Sequence, residues 1–281
     1  MTWGGVRTGI AISLCPTEFA PLLFAGQLEE GLRVAGELGF DLVELSLRSP
    51  EDVDAEALRA SLNRAGISLS AIATGQSCLF DSLCLSAADP GVRAATVTRL
   101  EAHIQLAESF GASVILGGIR GRLTGTPAER SAQRVGAVES IQECARLASS
   151  LGVTLLIEPI NRYETNFINT AVDALSLLDE VDDPSLKVLL DTFHMNIEEA
   201  AMTDALKLAG DRLGYVHFAD SNRLAPGQGH VDFVAVLETL EELGYRGVVA
   251  AEILPLPNDV TAARQTAEFW RRLAPAGGST S

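Results

Sequence analysis

Four polar side chains that could bind a metal ion stand at the ends of short apolar runs in the second half of the chain. The runs VTLLIE, LKVLLD, LGYVH and GVVAAE end at Glu158, Asp191, His217 and Glu252. Continuous Val/Ile/Leu runs of this length are typical of strands buried on both faces, as in a parallel sheet. A charged group at the end of such a strand adds no stability that an apolar residue would not supply. The pattern therefore indicates chemistry at one rim of a sheet.

Three carboxylates and one imidazole form a ligand set that favours a hard divalent cation. Oxygen ligands suit Mn²⁺, Mg²⁺ or Co²⁺, whereas zinc prefers more nitrogen or sulfur, and we expect Mn²⁺. A dication among three carboxylates leaves one negative charge. The site therefore favours a neutral substrate, or an acidic substrate whose charge is balanced by a cation such as Arg223.

The two glutamates of this set suggest the reaction. A metal that bridges a ketone oxygen and a neighbouring hydroxyl acidifies the carbon between them and stabilises the resulting enediolate. Glu158 and Glu252 lie three predicted strands apart, so one could remove the proton while the other returns one to the opposite face. This arrangement predicts inversion of the carbon next to the carbonyl. Proton transfer on one face would instead give an aldose–ketose isomerase, such as a hydroxypyruvate isomerase, with the same site.

The elements that would position these residues follow a repeating pattern of helix, glycine and strand. Examples are ELGFDLVEL, RAGISLSAI, SFGASVILG and SLGVTLLIE, in which glycine can take the left-handed conformation that ends a helix. Strands that alternate with helices predict a parallel sheet with right-handed crossovers. Eight such units predict a closed (β/α)8 barrel, with an open doubly wound sheet as the alternative. The predicted strands are 8–14, 41–46, 67–73, 113–118, 153–158, 186–191, 213–218 and 247–253.

The length of 281 residues suits one barrel domain over 1–281. We expect the barrel to cover about residues 8–273, with a flexible C-terminal tail at 274–281. Several long segments follow predicted strands, which places them at the carboxyl rim where barrels keep their active sites. These segments are 74–90, 117–127, 159–169 and 218–231.

Charge and composition exclude several classes of function. The net charge of −16, from 37 acidic and 21 basic residues, argues against nucleic acid as a partner. With four histidines in all, it also argues against an abasic-site endonuclease. We expect no membrane segment, because no window approaches 18 apolar residues and the start does not resemble a signal peptide. The four cysteines show no CxxC spacing and are expected to be reduced, in a cytoplasmic protein.

Four segments carry a family resemblance: IEPINRYETNFINT (157–170), LLDTFHMNIEE (189–199), VHFADSNRLAPGQGHVDF (216–233) and AEILPLP (251–257). They resemble the xylose-isomerase-like barrels that epimerise ketoses, in particular the tagatose/allulose 3-epimerase group. The resemblance implies metal ligands at Glu158, Asp191, His217 and Glu252, with Glu158 and Glu252 as the acid/base pair. It further implies that the reactive end of a sugar is held by Glu164, His194 and Arg223. Relatives of this kind form homodimers or homotetramers, so self-association is expected.

The first half of the chain narrows the resemblance. AIATGQSCLFDSLCLS (71–86) and VILGGIRGRLTGTP (114–127) resemble a bacterial branch that includes 5-keto-L-gluconate epimerase. Arg120 follows the fourth strand and is expected to bind a substrate carboxylate, while Gln76 is expected to touch the sugar. The predicted substrate is a keto-uronate or keto-gluconate, with a free ketohexose second. No metal ligand is missing, which argues against a non-catalytic sugar-binding barrel.

The sequence also allows expectations about the surroundings of Arg223 and His103. Arg223 either holds the substrate or simply pairs with Asp220. His103 lies inside a predicted amphipathic helix and is expected at the surface.

Overall fold

The computed structural model describes residues 2–3, 5–17 and 21–273. A short strand, β1, pairs antiparallel with β2, and the eight following strands are each parallel to the next. The last strand, β9, also pairs with β2, so the sheet closes on itself. The strands are β1 (Thr2–Trp3), β2 (Val6–Ser13), β3 (Leu42–Ser46), β4 (Ser68–Ala73), β5 (Ser113–Leu116), β6 (Leu155–Ile157), β7 (Leu186–Asp191), β8 (Leu213–Phe218) and β9 (Val248–Ala251).

Helices connect successive barrel strands, which confirms the predicted (β/α)8 barrel; the closing pair of β2 and β9 excludes the open sheet. The predicted tail at 274–281 lies outside the described residues. The helices are α1 (Leu28–Leu38), α2 (Ala55–Ala65), α3 (Gly75–Asp81), α4 (Pro90–Phe110), α5 (Pro127–Leu151), α6 (Ala171–Val181), α7 (Thr192–Glu198), α8 (Met202–Ala209), α9 (Phe233–Glu242) and α10 (Asp259–Leu273).

Glycine ends several helices as the sequence predicts. Gly111 follows α4 and Gly152 follows α5, with φ of 64° and 69°, and each amide bonds back to carbonyls of the last turn. A residue with a Cβ would strain this left-handed backbone. The chain therefore leaves each helix abruptly, and the next strand starts two or three residues later.

The apolar side chains form two separate cores. The larger core lies between the strands and the surrounding helices. The smaller core takes side chains from successive strands, which places it inside the ring. Its members are Leu42, Ala71, Ile115, Leu156, Leu189, Tyr215, Val248 and Ala250. The interior below the carboxyl rim is thus packed, and the rim itself is left for function.

His103 corrects one expectation from the sequence. Its side chain is fully buried on the inner face of α4, and its Nδ1 lies 2.8 Å from the carbonyl oxygen of Arg99. The spacing from Leu100 to His103 and Ala107 puts the imidazole on the same stripe as the buried aliphatic residues. Burial lowers the pKa of His103 to about 4, so the ring is neutral.

Two further findings concern the chain as a whole. All four cysteines, which lie in the described residues, are free thiols. Among the helices of the described residues, none combines the length and the apolar character that a bilayer crossing requires.

Candidate active site

The four predicted metal ligands point into the barrel because of the alternation of side chains along a strand. Glu158 lies two residues after Leu156 of the inner core, and Asp191 lies two residues after Leu189. The same offset relates His217 to Tyr215 and Glu252 to Ala250. Since residues i and i+2 of a strand share a face, all four side chains project inward, one step nearer the rim than the packed core.

The four side chains converge on one point. His217 Nδ1 lies 3.5 Å from Glu158 Oε1, 3.6 Å from Glu252 Oε2 and 3.7 Å from Asp191 Oδ2. One ligand atom from each of the four lies within 4.8 Å of every other. Donor atoms this close together could bind one divalent cation.

The hydrogen-bonding state of these atoms tests whether a cation fits. Within the described residues, Glu158 Oε1 and His217 Nδ1 are buried without a hydrogen-bond partner, and Asp191 Oδ2 has only an ion pair with Arg223 at 3.0 Å. Buried polar atoms are rarely left without a hydrogen bond, and here all three lie close together. Three carboxylates and one imidazole suit a hard divalent cation better than zinc. The residues therefore fit a metal such as Mn²⁺, Mg²⁺ or Co²⁺.

The groups of the cluster differ in their pKa shifts. Burial raises the pKa of Glu252 to about 8, against the opposing effect of Arg223 and His217. Burial would raise the pKa of Glu158, but the nearby His217, whose Nδ1 lies 3.5 Å from Glu158 Oε1, outweighs it and lowers the pKa of that carboxyl. Burial alone would lower the pKa of His217, yet the charges of Glu44 and Glu252 raise it well above its usual value.

Glu44 is a functional residue that the sequence analysis missed. It lies on β3, is fully buried, and its Oε2 accepts a hydrogen bond from His217 Nε2 at 2.8 Å. The carboxylate therefore holds the ring proton on Nε2 and leaves Nδ1 for the cation, the usual role of such a partner. Glu44 follows the inner-core residue Leu42 by two positions, and this inward charge within an apolar strand was the signal.

Arg223 reaches the cluster from the loop after β8. Its Nη1 lies 3.0 Å from Asp191 Oδ2, and its Nη2 pairs with Glu252. Asp220 instead accepts the backbone amides of Gly227 and Val231, so the alternative of an Arg223–Asp220 pair is wrong. Asp220 anchors the loop, and Arg223 stands within it at a φ of 63°, a backbone conformation that aims its guanidinium inward.

Asn161, also missed from the sequence, joins the other two predicted substrate contacts. Its Nδ2 donates to Glu164 Oε1 at 2.8 Å and lies 2.9 Å from His194 Nδ1. The backbone amide of Asn161 points to the same ring nitrogen at 3.4 Å. Two donors thus face Nδ1, while Nε2 lies 3.9 Å from Glu158 Oε1 and 3.5 Å from Arg223 Nη1, which can only donate. The imidazole of His194 therefore stands between Asn161 and the cluster.

A cavity of about 640 Å³ opens above the cluster. Its lining includes five of the predicted site residues in the second half of the chain together with Gln76. The rest of the lining is largely uncharged and includes Leu22, Leu79, Ile115 and Leu254. The predicted contacts that line the cavity are Gln76, Glu158, Glu164, His194, Arg223 and Glu252.

Arg120 does not join them. Its guanidinium is fully buried and donates to the carbonyl oxygens of Gly117, Phe167 and Ile168 at 3.0, 2.8 and 3.0 Å. It is absent from the cavity lining, so the geometry argues against the expectation that Arg120 binds a substrate carboxylate. The side chain instead ties the loop after β5 to the loop after β6.

Comparisons with known proteins agree with this geometry. The family described as "Xylose isomerase-like TIM barrel" matches residues 32–273. An L-ribulose 3-epimerase of Methylomonas sp. is 34% identical over 219 residues, which is 78% of this chain and 75% of the relative. A ketose 3-epimerase of Arthrobacter globiformis is 35% identical over 240 residues, covering 82% and 81%.

A solved structure extends the comparison to the whole fold. The 3-keto-D-glucoside 4-epimerase of Escherichia coli superimposes with a TM-score of 0.80 at 25% identity, covering 95% of this chain and 99% of the other. The family match at residues 32–273 spans the strands that carry the cluster. The chain belongs to the xylose isomerase-like TIM barrel family, among relatives that are ketose 3-epimerases.

Proposed function

We propose that this protein is a metal-dependent epimerase that inverts the carbon next to the carbonyl of a sugar. The carbohydrate epimerase class is that of its relatives, which act at carbon 3 of ketoses or carbon 4 of a keto-glucoside. The observation that carries the proposal is the convergence of Glu158 and Glu252 on one buried cluster from strand ends with two strands between them.

The cluster would hold one dication through Glu158, Asp191, His217 and Glu252, and Mn²⁺ is the ion we expect. When bound, the cation would polarise the carbonyl oxygen and so acidify the adjacent carbon. Glu44 keeps the ring of His217 oriented through Nε2. Glu158 Oε1 and His217 Nδ1, which are buried without a hydrogen-bond partner among the described residues, support this assignment.

Glu158 and Glu252 would move the protons. One carboxylate takes the proton from the carbon next to the carbonyl, and the electron pair of that C–H bond passes into the enediolate. The other carboxylate delivers a proton to the opposite face of the same carbon, which re-forms the ketone with inverted configuration. The next turnover in reverse uses the two groups in exchanged roles.

The side chains above the cluster would hold the reactive end of the sugar. His194 offers its imidazole, Arg223 offers a guanidinium, and Glu164 offers an acceptor at the cavity wall. Asn161 sets the positions of both His194 and Glu164. Substrate held by three directed groups presents one carbon to the two bases, which is the requirement for inversion without side reactions.

We propose an uncharged ketose as substrate, in place of the keto-uronate that the sequence favoured. Among the described residues that line the cavity, Arg223 is the only arginine or lysine, and it is paired with Asp191 and Glu252. Arg120 is used by backbone carbonyls. A substrate carboxylate or phosphate would therefore enter without a free cation to balance it.

The test is a panel of ketoses and keto-acids incubated with Mn²⁺ in D₂O and followed by NMR. We expect epimerisation of a neutral ketose, with deuterium at the inverted carbon. Movement of the carbonyl would identify an aldose–ketose isomerase instead. Faster turnover of keto-acids would reverse the substrate assignment.

Three further measurements test the remaining expectations. Light scattering tests the predicted homodimer or homotetramer, and metal analysis of the same sample tests the expected Mn²⁺. Cell fractionation tests the cytoplasmic location.

A further inference from the structure

The side chain of Gln76 lines the cavity on the wall that faces the metal cluster. Gln76 lies in α3, directly after β4, and β4 stands opposite β8 in the ring of eight strands. Its side chain is only 4% exposed. A group at this place would meet the part of a substrate that lies away from the two bases.

The hydrogen bonds of Ser13 determine which end of the Gln76 amide is left without a hydrogen bond. Ser13 Oγ lies 2.6 Å from the carbonyl oxygen of Cys15 and 2.6 Å from Gln76 Nε2. A carbonyl can only accept, so the single hydroxyl proton of Ser13 goes to Cys15. Ser13 must then accept from Gln76, which turns the NH₂ group toward Ser13 and leaves the carbonyl end of the amide free.

That free end has no partner. Gln76 Oε1 is buried and, within the described part of the chain, accepts no hydrogen bond. A buried acceptor in this state is unfavourable unless something supplies a donor. Its neighbour Thr74 does not, because that hydroxyl donates to the carbonyl oxygen of Ile115 at 2.7 Å. Much of the surrounding wall is apolar, including Leu22, Leu79 and Leu254.

We propose that Gln76 Oε1 is a fixed acceptor for one hydroxyl of the substrate, remote from the reacting carbon, and that it determines specificity for that hydroxyl. The inference rests on the proposed function, since it concerns the same cavity. The amide cannot turn to offer a donor without breaking its bond to Ser13. A substrate that carries hydrogen, a carbonyl or a carboxylate at that position leaves Oε1 unpaired.

Monodeoxy ketoses test this assignment in combination with variants of Gln76. The wild-type protein, loaded with Mn²⁺, is assayed on a ketohexose and on analogues that lack one hydroxyl beyond the reacting carbons. One analogue should be turned over with a kcat/KM about 10- to 100-fold lower, because a site built around a hydroxyl rejects the analogue without it. In Gln76→Met the same preference should fall to about one, since the parent sugar loses its contact and the analogue loses nothing.

Two further variants keep the test decisive. Ser13→Ala leaves Gln76 in place but frees the amide to rotate, so the preference should fall partway even if Gln76→Met folds poorly. Gln105→Met, the same change at an exposed position of α4, should leave the preference as in the wild type. Circular dichroism confirms the fold of each variant.

The outcomes separate the two proposals. If the wild type epimerises ketoses but no deoxy preference changes in Gln76→Met or Ser13→Ala, the role of Gln76 is wrong and the proposed function stands. If the wild type with Mn²⁺ inverts no ketose at all, the proposed function fails and the inference fails with it.

Discussion

The two halves of the carboxyl rim differ in chemistry. The half formed by β6 to β9 supplies Glu158, Asp191, His217 and Glu252, which are charged, close together and partly without hydrogen-bond partners. The half formed by β2 to β5 supplies a largely uncharged wall in which Gln76 is a buried polar group. The side formed by β6 to β9 is suited to moving protons, and the side formed by β2 to β5 is suited to selecting which sugar binds. The same barrel can therefore keep a reaction while its substrate changes.

The largest effect should come from removing either base. Glu158→Gln and Glu252→Gln each keep a ligand oxygen but cannot carry the proton, so turnover should fall by about 10³-fold or more. Epimerisation is followed by NMR, with metal content and circular dichroism measured on the same samples. Glu242→Gln, an exposed carboxylate paired with Lys207, is the matched control and should keep full activity. Substantial epimerisation in either variant would contradict the two-base mechanism.

A smaller loss is expected when the positioning of the sugar is disturbed. Asn161→Asp removes the NH₂ group that holds Glu164 and His194 and places a carboxylate beside Glu164. We expect kcat/KM to fall by about 10- to 100-fold while the metal content is unchanged. Asn166→Asp, in the same loop but exposed, should have little effect. Loss of metal in Asn161→Asp would assign Asn161 to the metal site instead.

Metal binding should release protons. Burial raises the pKa of Glu252 to about 8, so this carboxyl holds a proton at pH 7 before a metal binds. A cation requires Glu252 deprotonated, so its apparent affinity should rise by up to about tenfold per pH unit until about pH 8. Calorimetry at pH 7 in buffers of different ionisation enthalpy measures the number of protons released. A binding enthalpy that is the same in every buffer would refute the expectation.

The smallest effect on substrate choice is expected at Arg120, which lies outside the cavity lining. Arg120→Met should lower the free energy of unfolding by about 3 kcal/mol, because three backbone carbonyls lose a buried donor. The ratio of activities on neutral and acidic sugars should change by less than about twofold, since the guanidinium does not line the cavity. Thermal melts and the substrate panel measure the two quantities. A selective loss of activity on acidic sugars would restore Arg120 as a substrate contact.

The sequence predicted the fold and the convergence of the cluster because both depend on local patterns. The position of each strand follows from an apolar run and a glycine before it, and Glu158 or Asp191 marks the end of such a run. The closing of a parallel barrel then brings strand ends to one rim without further information.

The contacts of individual side chains were harder to predict from the sequence. Arg120 was expected at the substrate, but its long side chain turns to carbonyls of residues 167 and 168, which are distant in the chain. Glu44 was overlooked because the sequence analysis considered polar residues at strand ends, whereas Glu44 lies in the middle of β3. Asn161 uses its side-chain NH₂ group to contact both Glu164 and His194, and these two contacts become visible only in the folded loop.

The contacts of Arg120 also bear on protein engineering. One buried side chain from the segment after β5 is hydrogen-bonded to backbone of the segment after β6, so the two form a single structural unit. If only one of these segments came from a relative, the Arg120 guanidinium would be separated from the carbonyl oxygens of Phe167 and Ile168. Chimeras designed to change which sugar is accepted should therefore exchange both segments together.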